Sequence, residues 1–223
     1  MSGGRTVLGV DVGGSHVKVR LSTGGEERRF NSGPAMTAQQ MVDGVRELTA
    51  GWDYDVVSVG IPAPVRHERV QAEPVNLGPG WAGFDFERAF GKPTKVVNDA
   101  TMQALGSYEG GKMLFLGLGT GLGSTLVDGE AVEPLELGHL PYRKATFEDY
   151  VGERGRRRLG KKRWRAAVAE TVELLGKALE PDYVVLGGGN AKHLKELPPN
   201  TRVGSNENAF GGAFRLWSEP SSR

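Results

Sequence analysis

The chain has 223 residues, 38% hydrophobic and 25% charged, with a net charge of +1, a composition that fits an ordinary soluble globular protein of one large or two small domains. Near-neutral charge argues against wholesale nucleic-acid binding, and the absence of cysteine excludes disulfides, thiolate zinc sites and cysteine nucleophiles and makes the cytoplasm the default setting. Met1-Ser2-Gly3-Gly4-Arg5 carries no apolar signal region, and no apolar run is long enough to span a bilayer.

In chain order, residues 6–11 read as a strand, the Gly13-Gly14 turn sends the chain back through 16–21, and Gly24-Gly25 turns it again into 27–30. Three adjoining strands with tight turns predict an antiparallel meander at a sheet edge. Thr37-Ala38-Gln39-Gln40 is a capping box, followed at helical spacing by Met41, Val42, Val45 and Leu48. Residues 55–61 form a buried strand ending at Pro62-Ala63-Pro64, and 74–81 form an irregular loop carrying Asn76 and Trp81. A short strand, 95–97, then runs into Asn98-Asp99-Ala100 and a helix reaching about Ser107. Residues 113–117 and 123–127 predict a second glycine-linked hairpin, so strand-turn-strand with glycines occurs twice, a weak repeat of two related halves. Trp164, Val168, Val172, Leu175 and Leu179 line one face of a long helix stopped by Pro181. A buried strand, 183–186, closes on Gly187-Gly188-Gly189-Asn190, and Phe210, Phe214 and Trp217 mark a last apolar helix. The halves are expected as two lobes sharing a cleft: 1–107 with 206–223, and 108–205.

Asp99 opens a helix whose positive end favours the ionised carboxylate, so it can serve as a base; alternatively it is a helix cap without chemistry. The turn Asp11-Val12-Gly13-Gly14-Ser15 allows backbone N–H groups to face phosphate oxygens, with Asp11 able to hold magnesium through water and Lys18 able to reach the transferred group. Gly119-Thr120-Gly121-Leu122-Gly123 repeats the idea with a hydroxyl. Gly187-Gly188-Gly189 suits close backbone packing or an adenine-ribose site. None is a Walker A or dinucleotide fingerprint, and each alone is equally a plain glycine turn. In Glu136-Leu137-Gly138-His139 two polar heads flank a glycine, apt for a polyol, although a lone histidine also commonly bonds to backbone. A carboxylate base between phosphate-wrapping loops is the minimum kit for moving a phosphoryl group onto a sugar hydroxyl.

The set resembles the ROK family of sugar kinases and sugar-responsive repressors. Residues 8–15 match its first phosphate motif, 97–100 its catalytic strand, 116–123 its second phosphate motif, Glu136-x-Gly138-His139 its sugar signature, and 185–189 its adenosine-side motif. The resemblance implies a two-lobed actin-like ATPase (ribonuclease H-like) α/β fold with a central cleft. It further implies that Asn98, Asp99, Glu136 and His139 contact a hexose, with Asp99 deprotonating its 6-hydroxyl. Glu148, in Phe147-Glu148-Asp149-Tyr150, resembles a further sugar-binding glutamate, and Asn76 the asparagine of the sugar loop. Many members carry a cysteine-rich zinc loop before that glutamate; only residues 140–147 intervene here, so no zinc is expected.

That short, zinc-free form points toward the polyphosphate glucokinase branch. So does the basic run Arg154, Arg156, Arg157, Arg158, Lys161, Lys162, Arg163 and Arg165 at one turn-helix entry. A polyanion would bind such a strip, with Arg154, Arg157, Arg158, Lys161, Lys162 and Arg165 as candidates; a solvated helix face or a nucleic-acid patch are the alternatives. Magnesium with polyphosphate, ATP or both as donor, glucose or another hexose as acceptor, and a homodimer follow from the resemblance; no nucleic-acid partner is expected. A DNA-binding sugar sensor would need a helix-turn-helix ahead of the strand at Thr6. A filament-forming or chaperone-like ATPase of the same fold would lack the Glu136-x-Gly138-His139 signature.

Overall fold

The computed structural model describes residues 4–205 and 208–218; residues 1–3, in the segment read for a signal region, and 206, 207 and 219–223, in the segment assigned to the first lobe, lie outside it. The chain divides into two compact units, 1–106 with 209–223, and 107–208.

In the first unit β1 (Val7–Val12), β2 (His16–Leu21) and β3 (Arg28–Asn31) form the expected meander. They lead to α1 (Ala38–Leu48), β4 (Val56–Ile61), the two-stranded ribbon of β5 (Val65–Arg66) and β6 (Arg69–Val70), α2 (Phe86–Phe90), β7 (Thr94–Asn98) and α3 (Asp99–Ser107). The sheet order is β3-β2-β1-β4-β7, antiparallel through the meander and parallel from β1 to β7. The capping box fixes the start of α1: Thr37 Oγ1 accepts from Gln40 N–H (3.2 Å) and Gln40 Oε1 from Thr37 N–H (3.0 Å). Its Met41, Val42 and Val45 are buried against the sheet, with Trp81 and Phe86 in the same core. Trp81 is fully buried and its indole N–H donates to the Met36 carbonyl (3.1 Å), which ties the 74–81 loop to the chain ahead of α1.

In the second unit β8 (Lys112–Leu118), β9 (Leu122–Asp128) and β10 (Ala131–Leu135) form a meander, followed by a single 3-10 turn (Leu137–His139). After it come the ribbon β11 (Pro141–Tyr142) and β12 (Ala145–Thr146), α4 (Phe147–Val151), α5 (Glu153–Leu179), β13 (Tyr183–Gly187) and β14 (Thr201–Val203). The order β10-β9-β8-β13-β14 repeats that of the first unit, with the same antiparallel and parallel partition. Two copies of this topology are the duplicated α/β architecture of the actin-like ATPase fold. Leu114, Leu116 and Leu118 of β8 pack with Trp164, Val168, Val172 and Leu175 of α5.

α5 begins at Glu153, well before Trp164, and breaks at Gly160 (φ 71°, ψ 163°). The basic run is therefore not one continuous helical face: a residue in that conformation turns the side chains before it away from those after it. Glu180 in the left-handed region ends the helix ahead of Pro181.

α6 (Asn208–Arg215) returns to the first unit. Phe210, Ala213 and Phe214 cover Gly9 of β1, and the buried Ser58 hydroxyl of β4 donates to the Ala213 carbonyl (2.7 Å) while accepting from the Trp217 indole (2.9 Å). A Cβ on Gly212 would fall 1.7 Å from the Met102 carbonyl oxygen, so only glycine lets α6 lie this close to α3.

Candidate active site

In the first unit the acidic groups gather where β1, β4 and β7 end. Asp11 pairs in register with Gly60 of β4, and Gly60 with Val97 of β7, which sets Asp11 and Asp99 near the carboxyl edge of the parallel strands, where ligands of open α/β sheets bind. Gly60 permits this arrangement. A Cβ there would meet Met102 Cε at 2.4 Å, so α3 seats its first turn against the sheet only because the position is bare.

Asn98 is the N-cap of α3: its Oδ1 accepts from Ala100 N–H (2.9 Å), and its Nδ2 donates to the Ala63 carbonyl (3.0 Å). Both ends of the amide serve the backbone, and one N–H remains for a ligand. Asp99 Oδ1 accepts from Ala100 N–H (2.8 Å). The helix start favours the ionised carboxyl, and burial acts against it. Burial pushes the Asp99 pKa up, and the hydrogen bonds from Ala100 and its own N–H only partly oppose it. Desolvation wins over the helix end because it acts on the whole charge.

The Asp11 pKa is likewise raised, to about 6, chiefly by burial and by the charge of Asp99, with Lys18 pulling the other way. Lys18 stands opposite Asp11 in the β1–β2 register and reaches Glu27 Oε1 at 4.0 Å. Around the turn, Gly13 N–H donates to the His16 carbonyl (2.9 Å), Ser32 Oγ donates to the Gly13 carbonyl (2.6 Å), and Gly14 and Ser15 are exposed. A Cβ on Gly14 would meet Asn76 Cβ at 3.3 Å, so the 74–81 loop comes down beside this turn.

The second unit brings together the other candidates. β8 and β9 are joined by a loop of three residues, Gly119-Thr120-Gly121. Glu153 N–H donates to the Gly119 carbonyl (3.0 Å) and that of Thr120 (3.2 Å), and the Asn190 side chain donates to the Gly119 carbonyl (3.0 Å). Gly188, at φ 79°, lies on the backbone of Leu118, where a Cβ would be 2.6 Å from the carbonyl oxygen. Gly187 and Gly188 therefore pack against the second glycine loop, while Gly189 is exposed. Glu148 Oε2 sits over Gly121, 2.4 Å from where its Cβ would be, and Glu148 Cβ lies 3.5 Å from that of a side chain on Gly138. Gly138 thus lets the 3-10 turn close on α4, and on either side of it Glu136 and His139 stand exposed, with Glu136 Oε2 3.9 Å from His139 Nδ1.

Of the basic run, Arg156 and Arg157 both pair with Glu153 (2.8 and 2.7 Å), holding its pKa down at about 2, and Arg165 donates to the His193 carbonyl (2.7 Å). Arg154, Arg158, Lys161 and Lys162 are exposed. Sequence reasoning missed Glu153, Asn190, Gly152 and Ser32 as supports of the loops. An asparagine closing a triple glycine is a signal for side-chain-to-backbone bonding, and Gly152-x-x-Gly155 stands out in a charged run.

Among the described residues no group of three or more His, Cys, Asp or Glu is placed to hold a metal ion, and no helix is long and apolar enough to cross a membrane.

No family model matches the chain. It is 25% identical to a polyphosphate glucokinase of Mycobacterium tuberculosis (strain CDC 1551 / Oshkosh) over 214 residues, 86% of this chain and 80% of that one. It is 27% identical to a kanosamine kinase of Amycolatopsis mediterranei (strain S699) over 254 residues, 86% and 83% of the two chains. In fold it is similar to an inorganic polyphosphate/ATP-glucomannokinase from Arthrobacter sp. strain KM, with a TM-score of 0.78 at 23% identity over 95% of this chain and 98% of that one. Its paired glycine loops, its Glu136-x-Gly138-His139 turn and its twice-repeated topology accompany this likeness, and the chain is similar in sequence and in fold to sugar kinases, a ROK family glucokinase from Streptomyces griseus among them (TM-score 0.72 at 18% identity over 95% of this chain and 99% of that one).

Proposed function

We propose that the chain is a hexose kinase that transfers a phosphoryl group from polyphosphate, ATP or both to the 6-hydroxyl of glucose. The observation that carries the reading is Asp99: a carboxyl with a raised pKa, fixed by backbone N–H groups at a strand end and sharing its unit with Asp11 and a glycine turn. A base with raised proton affinity is a better acceptor near neutral pH than an ordinary aspartate.

The proposed step moves the O6 proton to the Asp99 carboxylate as O6 bonds to the terminal phosphorus of the donor. The bridging P–O bond breaks and the donor leaves one phosphoryl group shorter. Asn98, Glu136, His139 and Glu148 orient the sugar, with Asn76 beside the first turn. Backbone N–H groups of Gly13, Gly14, Ser15 and Gly119-Thr120-Gly121 hold the phosphates, with Lys18 available to the transferred group, Gly187-Gly188-Gly189 on the nucleotide side and the basic run on the side of a polyphosphate donor.

Asp11 fits magnesium: it is an oxygen donor whose ionised form is penalised by burial and by Asp99, a penalty that a neighbouring cation relieves. Asp11 would hold the ion through water, and the ion supplies charge neutralisation on the donor's phosphoryl oxygens. The reading uses no zinc. It also favours a cytoplasmic homodimer, which sedimentation of the full chain checks for its oligomeric part.

Similarity to a kanosamine kinase and to a glucomannokinase favours a second reading, a kinase for another hexose such as mannose or an amino sugar. A coupled assay crossing glucose, mannose, fructose, N-acetylmannosamine and kanosamine with ATP and polyphosphate decides. The expected result is fastest turnover with glucose; phosphorylation of none of these sugars from either donor overturns the kinase reading.

A further inference from the structure

The ribbon of β11 and β12 and the junction of α4 with α5 border an open surface pocket of about 540 Å³ lined by Lys144, Ala145, Asp149, Tyr150, Arg154 and Arg158. Its charge is three cations against one carboxylate. Asp149 is already committed: its Oδ2 accepts from the Thr146 hydroxyl (2.7 Å) and backbone N–H (3.3 Å), and these bonds, with the nearby charges of Arg154 and Arg158 adding to them, hold its pKa below the usual carboxylate range. The cations are poised differently. Arg158 lies over the Tyr150 ring (4.9 Å to the centroid) and donates one N–H to the Asp149 carbonyl (2.9 Å), so its guanidinium is held flat with further N–H groups to offer. Among the described residues neither Lys144 nor Arg154 is held in an ion pair, in contrast to Arg156 and Arg157. Lys144 sits at the tip of a tight turn whose Arg143 (φ 56°) pairs with Glu170 and lies over Tyr142 and Tyr150, so the lysine is carried on a braced element.

Arg154 directly follows Glu153, whose N–H holds the carbonyls of Gly119 and Thr120. One lining residue of the pocket, Arg154, is thus the chain neighbour of the residue whose backbone clasps the second glycine loop, within the same unit. Arg156 and Lys161, by contrast, face His193, whose pKa they help to lower. Within the basic run the kink at Gly160 and these partnerships set Arg154 and Arg158 apart as the members that line a concavity.

We propose that this pocket is a second phosphate-group site, which takes a phosphoryl unit of a polyphosphate donor remote from the transferred one. The proposal rests on the kinase reading for its choice of donor and adds Lys144, from outside the basic run, as a donor-specificity residue. Preorganised guanidinium and ammonium groups favour a polyanion by charge and by hydrogen bonding, with little ordering cost.

The test is calorimetric titration of the full chain with long-chain polyphosphate, tripolyphosphate and inorganic phosphate. It uses the parent, the double variant Lys144→Glu/Arg154→Glu, and Arg46→Glu as a charge control on α1. The expected result is that the double variant binds long-chain polyphosphate about tenfold or more weakly, loses less affinity for tripolyphosphate, and that Arg46→Glu binds as the parent does. Equal long-chain affinity in parent and double variant overturns the proposal, as does equal weakening by Arg46→Glu. Inorganic phosphate binding at the pocket with no dependence on chain length assigns it to a free solute and overturns the assignment to the donor chain. If the parent binds long-chain polyphosphate through these residues but transfers phosphate from it to no hexose, the pocket stands and the donor reading falls.

Discussion

The side-chain amide of Asn190 donates to the carbonyl of Gly119 at 3.0 Å, while its backbone N–H donates to the carbonyl of Leu118 at 2.9 Å. One buried residue beyond β13 thereby fixes both the last residue of β8 and the first residue of the second glycine loop. Parallel neighbours β8 and β13 end at the same level, Gly117 beside Gly187, which places the asparagine within reach.

Asn190→Ala is expected to lose about 1 kcal/mol of stability and to raise the KM for the phosphoryl donor about fivefold, with a smaller change in the KM for the hexose. Denaturant titration and steady-state kinetics with each substrate varied check this. Equal effects on both substrates would show a general loss of structure instead of a loosened loop.

Asp99→Asn keeps the cap of α3, because the Ala100 N–H is also bonded to Asn98, and removes the proposed base. The expected loss in kcat is about 10²–10⁴-fold in a protein at least as stable as the parent at neutral pH, because the buried charge is removed. In the parent, kcat/KM should fall as pH drops through a pKa above the usual aspartate range, because burial raises it. A folded Asp99→Asn protein with near-normal turnover would remove Asp99 from the mechanism.

Asp11 gives a stability signature. Its pKa is about 6 in the folded chain against 3.8 ordinarily, so between those values the folded state binds more protons than the unfolded one. Its contribution therefore becomes unfavourable as pH rises through that window and stays so above it. Relative to the parent, Asp11→Asn should gain about 1–3 kcal/mol at neutral pH and nothing below the lower value. Urea titrations across the window measure it; a difference independent of pH would contradict the raised pKa.

Gly211 and Gly212 are neighbours on α6 with opposite expected behaviour. A Cβ on Gly212 meets the Met102 carbonyl oxygen at 1.7 Å, whereas one on Gly211 meets the Gly106 backbone at ordinary contact distance, its Cα at 3.6 Å and its carbonyl oxygen at 3.9 Å. Gly212→Ala should cost about 3 kcal/mol or more by forcing α6 off α3. Gly211→Ala should be neutral or gain up to about 1 kcal/mol from helix propensity. Thermal unfolding of the two variants checks the pair, and similar midpoints would place α6 elsewhere.

The order of the motifs was legible because each rests on local chemistry. Glycine turns after alternating apolar runs mark the strand ends at Asp11, Leu118 and Gly187, the Thr37–Gln40 box marks α1, and the doubled strand-turn-strand signals the repeated halves. Packing decided the rest. That Glu148 stands over Gly121, that Asn190 and Glu153 clasp Gly119, and that Gly60 and Gly212 are spaces for Met102 and its backbone all depend on contacts between residues far apart in sequence. The same holds for charge. Asp99 reads as ionised from its place at a helix start, yet burial raises its pKa, and the basic run reads as one strip until Gly160 bends it and Glu153, Asp149 and His193 engage its members. Turn and helix signals are written in neighbouring residues; desolvation and hydrogen bonds between distant segments exist only once the sheets and helices have closed on one another.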